Sequence, residues 1–582
     1  MVVMTEIEKK RHSLAHLLAA AILKLYPDTK LTLGPAVDNG FYYDMDFKDP
    51  ISDSDLKNIQ KTMKKMANSW STFEEKKVSA DEARNVFAGN EYKVELINEI
   101  EAKGEEITLY TSGDFIDLCR GGHVDDFSSI SMDAFKLDRI AGAYWRGDEK
   151  NKMLTRIYGI AFDTKEELTD YLNLQEEAKK RDHRKIGKEL GLFTFSELVG
   201  SGLPLFTPKG TKLRELIVEK IHRIQADFGY ERVTIPHITK KDLYETSGHW
   251  EKFGDELFHV KGKSDAEFVM KPMNCPHHTQ IYAAMPKSYR DLPVRYTEST
   301  MVYRDEQAGE LLGLGRVRSI TQDDGHVFCT IEQIEEEIGN IVEVIKQFYT
   351  SLEMWDENTY WVSLSVRDPE TPLKYLGDTK IWDQAETTLE SVAQKFKLPY
   401  KRVEGEAAFY GPKLDFMFHD ALGRERQLAT AQLDFNMPNR FDLEYTDDQG
   451  NKQTPVMIHR AIAGSLERFL SIIIEHFAGH FPLWLAPTQI AIIPVKEDVH
   501  SDYAGQVQEL LIAVGARVEL WDDNHDGFGK KVRRAKNEKL PYWIIIGDEE
   551  MNTKTLTIES KDKQEKEISI EAFIESIQNK LK

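Results

Sequence analysis

The period of the apolar pattern changes along this chain, and that change limits its possible folds more than any single motif does. After Pro487, short apolar runs from Ile490 to Val495, Val518 to Trp521 and Tyr542 to Ile546 are separated by helical stretches. Strands alternating with helices predict a parallel sheet, so 486–582 reads as a separate α/β domain. Upstream, Leu213, Ile217, Ile221, Ile224 and Phe228 recur at helical spacing, Gly229 supplies a stop, and Arg232 to Pro236 is strand-like. Leu414 to Phe418 and Gln432 to Phe435 also read as strands, whose direction periodicity does not fix. A helix from His12 to Tyr26, halted before Pro27, opens a first region of mixed strand and turn signals. Between these regions the chain from Thr164 to Lys188 is charged and helical, with little apolar surface to bury. A length of 582 residues exceeds what one core serves, and the pattern predicts four parts: 1–163, a connector 164–188, 189–485 and 486–582.

Composition excludes several classes. With 41% apolar and 30% charged residues the chain is globular rather than disordered, and no apolar run approaches the length that spans a bilayer. Cys119, Cys275 and Cys329 are too few and too scattered for a disulfide framework, which fits a reducing cytoplasm. Lys9, Lys10 and Arg11 before Leu14 to Leu23 have the outline of a secretory signal, but His12 and His16 interrupt it. The net charge of -22 argues by itself against a nucleic-acid partner. Local basic runs at Lys179 to Lys188 and Lys530 to Arg534 read equally as solvated helix faces or as an RNA footprint.

The stretch Val302-Tyr303-Arg304-Asp305-Glu306, followed by Gly313-Leu314-Gly315-Arg316-Val317-Arg318-Ser319-Ile320-Thr321-Gln322-Asp323-Asp324-Gly325-His326, packs guanidinium groups, a carboxylate and a glycine-bearing loop into one hairpin-sized segment. That chemistry suits a nucleotide held by phosphates and base, or equally a charged surface hairpin. A second polar constellation is His12-Ser13-Leu14-Ala15-His16 with Asp117-Leu118-Cys119-Arg120-Gly121-Gly122-His123. Histidines at i and i+4 share a helix face, and Cys119 with His123 offers two more donors, so a zinc site is open on chemistry alone. A metalloprotease is not, since no glutamate follows His12.

The 302–326 segment resembles motif 2 of class II aminoacyl-tRNA synthetases, and its Thr-Gln-Asp-Asp-Gly-His ending is similar to the threonyl branch. Motif 1 is matched by the helix and strand ending at Pro236, and motif 3 by His459 to Arg468. The resemblance implies an α+β multidomain protein: an antiparallel-sheet catalytic domain, an α+β editing domain and a C-terminal α/β anticodon-binding domain. It implies that Arg304 holds the α-phosphate and the amino-acid carboxylate, that Glu306 receives the adenine amino group, and that Arg316 and Arg468 grip the γ-phosphate side of ATP, with Mg2+ accompanying the nucleotide. Lys413, Gln427 and Ser465 match further nucleotide or substrate contacts. Cys275, His326 and His459, whose spacing alone suggests nothing, fall on the family's zinc ligands, one ion per chain, with the substrate amino and hydroxyl groups on the metal. Asp324, Gln322, Tyr410 and Gln432 resemble the threonine contacts. His12, His16, Cys119 and His123, with Lys93 and Asp117, resemble an editing site that positions water and an ester without metal.

The implied partners are threonine, ATP and the threonine tRNA, in a homodimer formed through motif 1. Ile320 departs from the family, which often places an aromatic ring there, and the small domain preceding the editing helix in many relatives is expected to be missing. Asn524 and Lys530 fit an anticodon-binding pattern, whereas Asp523 and Ile558 to Asp562 bring acidic character where relatives are often basic. Two rivals are an RNA-binding regulator that has lost catalysis and a synthetase for serine or proline. Retention of the three arginines and the zinc set opposes the first, and the zinc set with Asp324 opposes the second.

Overall fold

The first helix starts earlier than His12, because Thr5 and Glu8 form a reciprocal capping box and Glu6–Leu25 runs unbroken to its C-cap Tyr26. The computed structural model describes residues 4–263, 266–356, 358–523 and 525–581, and the chain divides into two units, Met1–Glu177 and Ala178–Lys582. Asn524, an expected anticodon contact, lies outside the described residues.

In the first unit, every residue from Leu14 to Ile22 is no more than 4% exposed. Alanines at 15, 19, 20 and 21 keep this helix thin, so that a sheet and the helix Leu56–Ala67 can both close on it. The sheet is antiparallel, in the order Lys30–Leu31, Gly40–Asp46, Met153–Ala161, Phe135–Tyr144, with Ala36–Val37 also paired to Gly40–Asp46. A second antiparallel sheet joins Glu74–Val78, Ile107–Ser112 and Phe115–Leu118, and its last strand leads directly to Cys119.

The second unit is built on an eight-stranded sheet in the order Glu231–Arg232, Val294–Tyr303, Ser319–Cys329, Val456–Ala461, Glu425–Asp434, Lys413–His419, Tyr360–Val366, Tyr400–Glu404. Its inner pairs are antiparallel, while the two outermost strands pair in parallel. The expected strand Arg232 to Pro236 is therefore only a short edge at Glu231–Arg232. Helices Pro208–Asp227, Ile334–Thr350 and Leu466–His476 bury their apolar faces in one core with this sheet. The first of them has Pro208 at its opening turn and Thr207 as N-cap, whose side chain accepts from Gly210 N–H, a cap worth about 1 kcal/mol.

The C-terminal sheet runs Val518–Leu520, Ile490–Pro494, Tyr542–Ile546, Thr555–Glu559, Gln564–Ser569. The three strands expected from the sequence are parallel, as predicted; the last two add antiparallel. The connector differs more from expectation. It is two helices, Lys165–Arg181 and His183–Glu189, and the second is not a solvated spacer: His183 is 5% and Ile186 1% exposed, with Ile186 in the core of the second unit.

Candidate functional site

Register builds the first site. Directly opposed residues on neighbouring strands send their side chains to the same face of a sheet, and so do residues i and i+2 on one strand. Across four adjacent strands, His326 is opposite His459, His459 opposite Gln432, and Gln432 opposite Lys413. Gln322 and Asp324 precede His326 on the same face of Ser319–Cys329. The odd-numbered neighbour Asp323 points to the other face, where it pairs with fully buried Arg460 at 2.9 Å and accepts the N–H groups of Ile462 and Ala463. One face thus collects the polar site, and the other ties the strands of motifs 2 and 3 together.

Cys275 opens the helix Cys275–Ala283 and is 1% exposed. Its Sγ and one nitrogen each of His326 and His459 lie within 4.8 Å of one another. The remaining nitrogens are occupied: His326 Nδ1 lies 2.8 Å from His278 Nδ1, and His459 Nε2 lies 2.9 Å from Asp434 Oδ2. A histidine whose second nitrogen is bound in this way keeps one tautomer and aims the other lone pair inward, as a metal ligand requires. A Cys, His, His donor set at these distances fits zinc with an open coordination position. Asp324 Oδ1 lies 3.6 Å from His326 Nε2, and Asn274 donates to Asp324 Oδ2 at 3.1 Å. Tyr410 donates to Gln432 Oε1 at 2.6 Å, and Ser465 forms a backbone bridge to Gln322. His249 also faces the cluster, its Nε2 3.8 Å from Cys275 Sγ; burial pushes this imidazole down to about 4.

Beside this pocket Arg304 lies over the Phe253 ring at 4.9 Å, with Nη2 3.2 Å from Met273 Sδ and Nε buried without a partner. It makes no ion pair among the described residues, and burial lowers its affinity for a proton. Glu306 is 7% exposed and accepts from Arg316 at 2.7 Å; Arg316 also reaches Glu310 at 3.1 Å. Lys413 and Gln427 are both tied to buried Asp415, at 2.6 and 2.8 Å. Arg468, in the first turn of Leu466–His476, is held below its ordinary basicity by burial and by Arg426. Ser465 caps that helix by accepting from Arg468 N–H. Ile320 sits between Ser319 and Thr321 on the same strand, opposite Val302.

The second site lies wholly in the N-terminal unit, in a cavity of about 410 Å³ whose lining includes His12, His16, Tyr43, Lys93, Asp117 and Cys119. Cys119 Sγ is 3.5 Å from His12 Nε2 and 3.4 Å from His123 Nε2. The His12 ring stacks on His123 at 4.4 Å and meets His16 at 5.0 Å. Gly122 carbonyl accepts from His12 Nδ1 at 3.3 Å, and Ser13 Oγ lies 3.4 Å from His123 Nδ1. Burial lowers the proton affinity of all three imidazoles and pushes the Cys119 thiol up to about 12, so the cluster is neutral near pH 7. Lys93 and Asp117, each 1% exposed, pair at 2.5 Å, and Tyr43 donates to the same carboxylate at 2.5 Å. All six residues expected here are brought together; Tyr43 is an addition that the sequence reading did not single out.

Residues 258–477 match the family model of the tRNA synthetase class II core domain (G, H, P, S and T), 489–580 that of the anticodon binding domain, and 107–158 that of the threonyl and alanyl tRNA synthetase second additional domain. The sheet is therefore that of a class II synthetase core. The chain is 46% identical to the threonine–tRNA ligase of Gloeobacter violaceus over 99% of this chain and 92% of that one, and 46% identical to that of Rubrobacter xylanophilus over 98% and 88%. It belongs to the threonine–tRNA ligase family. A solved structure titled as the RNA binding domain of threonyl-tRNA synthetase from Cryptosporidium parvum is similar over 69% of this chain and 98% of that chain, at 35% identity and a TM-score of 0.64.

Proposed function

We propose that the chain activates threonine with ATP as threonyl-adenylate, transfers it to the threonine tRNA, and hydrolyses seryl-tRNA in its N-terminal unit. The observation that carries this reading is the single sheet face on which Asp324, His326, His459 and Gln432 stand together. A donor set with an open position beside a buried carboxylate suits an amino acid that bears both an amine and a hydroxyl.

Cys275, His326 and His459 would hold one zinc, with Asp434 and His278 fixing the imidazoles. Bound there, zinc would supply a Lewis-acidic seat for the substrate amine and hydroxyl. Asp324 accepts the hydroxyl proton, while Gln322, Tyr410 and Gln432 close around the remaining polar edge. Arg304, which makes no ion pair among the described residues, is held ready for the α-phosphate and the attacking carboxylate, where charge concentrates in the transition state. Arg316 and Arg468 take the far phosphates with Mg2+, and Glu306 exchanges Arg316 for the adenine amino group. Lys413, Gln427 and Ser465 border the same pocket.

In the second site the neutral imidazoles of His12, His16 and His123 position water and the Cys119 side chain borders the ester, without metal. Lys93 and Asp117 form the rigid polar wall. The domain limits 1–163, 164–188, 189–485 and 486–582 are proposed as well; the three family matches fall within the first, third and fourth. No helix among the described residues is long and apolar enough to cross a membrane, and we place the enzyme in the cytoplasm as a homodimer through its 208–236 segment. The test is pyrophosphate exchange with each amino acid in turn. Threonine-dependent exchange is expected; exchange with serine or proline alone, or with none, overturns the reading.

A further inference from the structure

Asp182, His183 and Glu475 bring their ligand atoms within 4.8 Å of one another, which by composition resembles another metal site. The hydrogen bonds argue otherwise. Leu314 N–H donates to His183 Nε2 at 3.1 Å, so that nitrogen carries the lone pair, and the proton sits on Nδ1, 2.7 Å from Glu475 Oε1. Both nitrogens are used and none remains for an ion. Glu475 in turn accepts His183 N–H at 3.2 Å and pairs with Arg424, whose Nε reaches buried Asp420 at 2.7 Å.

What this imidazole holds is the tip of the loop that carries Arg316. Leu312 and Arg316 form a backbone bridge, closed by Gly315 N–H to Leu312 carbonyl at 2.8 Å, and fully buried Leu314 lies at the turn between them. Gly313 is in the left-handed region at φ +51, and a Cβ there would stand 2.4 Å from His183 Nε2 and 2.9 Å from Arg184 Cγ. The loop backbone is thus brought against the imidazole as closely as a glycine permits. The other end of the contact, Glu475, closes the helix whose first turn carries Arg468.

We propose that His183 is a positioning residue for adenylate formation: it fixes the Leu312–Arg316 turn to the motif 3 helix, so that Arg316 and Arg468 are presented to the phosphates from one frame. This rests on the assignment of those two arginines to ATP. The chain reaches His183 only six residues after the first unit ends at Glu177, so a residue that the sequence places in a charged connector acts on the nucleotide loop.

Two substitutions separate the two hydrogen bonds. His183→Gln keeps an acceptor near the Nε2 position for Leu314 N–H, whereas His183→Asn keeps a donor near Nδ1 for Glu475 and loses the loop. In the full-length enzyme His183→Asn is expected to lower kcat/KM for ATP in pyrophosphate exchange by about 3- to 10-fold, the worth of one net hydrogen bond, with His183→Gln restoring most of it. Hydrolysis of seryl-tRNA should be unchanged in both. Amide hydrogen exchange, which needs no activity, should show the Leu314 N–H losing protection in His183→Asn and keeping it in His183→Gln. Equal ATP kinetics in the two variants, or unchanged protection at Leu314 in His183→Asn, overturns the proposal. An inactive wild type with the expected exchange pattern would instead refute the assignment of ATP while leaving the loop contact intact.

Discussion

Arg304→Met separates catalysis from stability by sign. The wild-type guanidinium is part-buried, has no ion-pair partner among the described residues, leaves Nε unpaired, and rests on Phe253 and Met273. Holding a charge in such a place costs folding energy, and the pull of Glu256 and Glu306 offsets only part of it. Methionine keeps the apolar stem against the ring and removes the charge. Because the site is partly open to solvent, the gain in stability is expected to be small, from zero to about 1 kcal/mol. In the proposed transition state the same charge would face the α-phosphate, where loss of one preorganised donor costs about 3 to 4 kcal/mol, or roughly 10²- to 10³-fold. The assays are threonine-dependent pyrophosphate exchange, read as kcat/KM for ATP, and urea unfolding, read as a midpoint at constant slope. A variant destabilised by more than about 1 kcal/mol, or one still active within tenfold, would refute the argument that Arg304 is held for a ligand rather than for the fold.

Elemental analysis should find about one zinc per chain, lost in Cys275→Ala and His326→Ala along with threonine activation; Asp434→Asn, which loosens His459, should weaken zinc in chelator competition by about 10- to 100-fold. Full zinc retention in both ligand variants would remove the site, and two ions per chain would place a second in the His12 cluster. His12→Ala with His16→Ala should leave threonine charging nearly intact while seryl-tRNA accumulates; equal clearance of preformed seryl-tRNA by this variant and wild type would sink the hydrolytic assignment. The imidazoles of His12, His16 and His123 bind protons less readily folded than at the unfolded value near 6.5. Above that value both states are neutral and pH has no effect through these groups. As pH falls below it the unfolded chain takes up protons that the folded unit refuses, costing at most about 1.4 kcal/mol per pH unit for each group until that group's folded value is reached. Unfolding measured between pH 7 and 5 should therefore show a shallower acid loss in His16→Gln, and an identical slope would contradict the burial argument.

Legibility in the sequence followed the range of the interaction. Helix Pro208–Asp227 was visible because its apolar residues repeat locally and Gly229 ends it at φ +73. The three parallel C-terminal strands were visible because apolar runs between helices have few alternatives. The central sheet was visible only in part: Leu414 to Phe418 and Gln432 to Phe435 fall on two of its strands, whereas strands such as Val456–Ala461 are buried on both faces and lose their alternation. At the site, the polar beat Gln322, Asp324, His326 is written along one strand, and Gln432 with Asp434 repeats it on another. Read as i, i+2 pairs, these would have nominated Asp434 together with Gln432. Lys413 with Asp415 repeats the beat again, whereas His278 and His249 carry no such local signal and come to the pocket only through the packing of distant elements. His183 was masked differently, because a buried histidine inside the run Lys179 to Lys188 looks like part of a solvated charged face.

The presence of two polar sites in separate units follows from what a single pocket can discriminate. In the proposed reading, a seat built from Asp324 and the Cys275, His326 and His459 donors would ask for a hydroxyl, and valine, which would leave those groups unpaired, would be rejected by about 10⁴. Serine satisfies every one of them and lacks only a methyl group. A missing methyl is worth about 1 to 3 kcal/mol, so roughly one serine in ten to one in two hundred would pass. Tightening the pocket around the methyl cannot close that gap, since serine fits any space that admits threonine. The remedy has to be a second selection that reverses the size rule, admitting serine and excluding the larger residue. We propose the cavity beside His12 and Cys119 for it, since Lys93, Asp117 and Tyr43 bond to one another along its lining and would resist displacement by an extra methyl. Enlarging that wall, rather than weakening the histidines, should therefore turn the hydrolytic site against threonyl-tRNA itself.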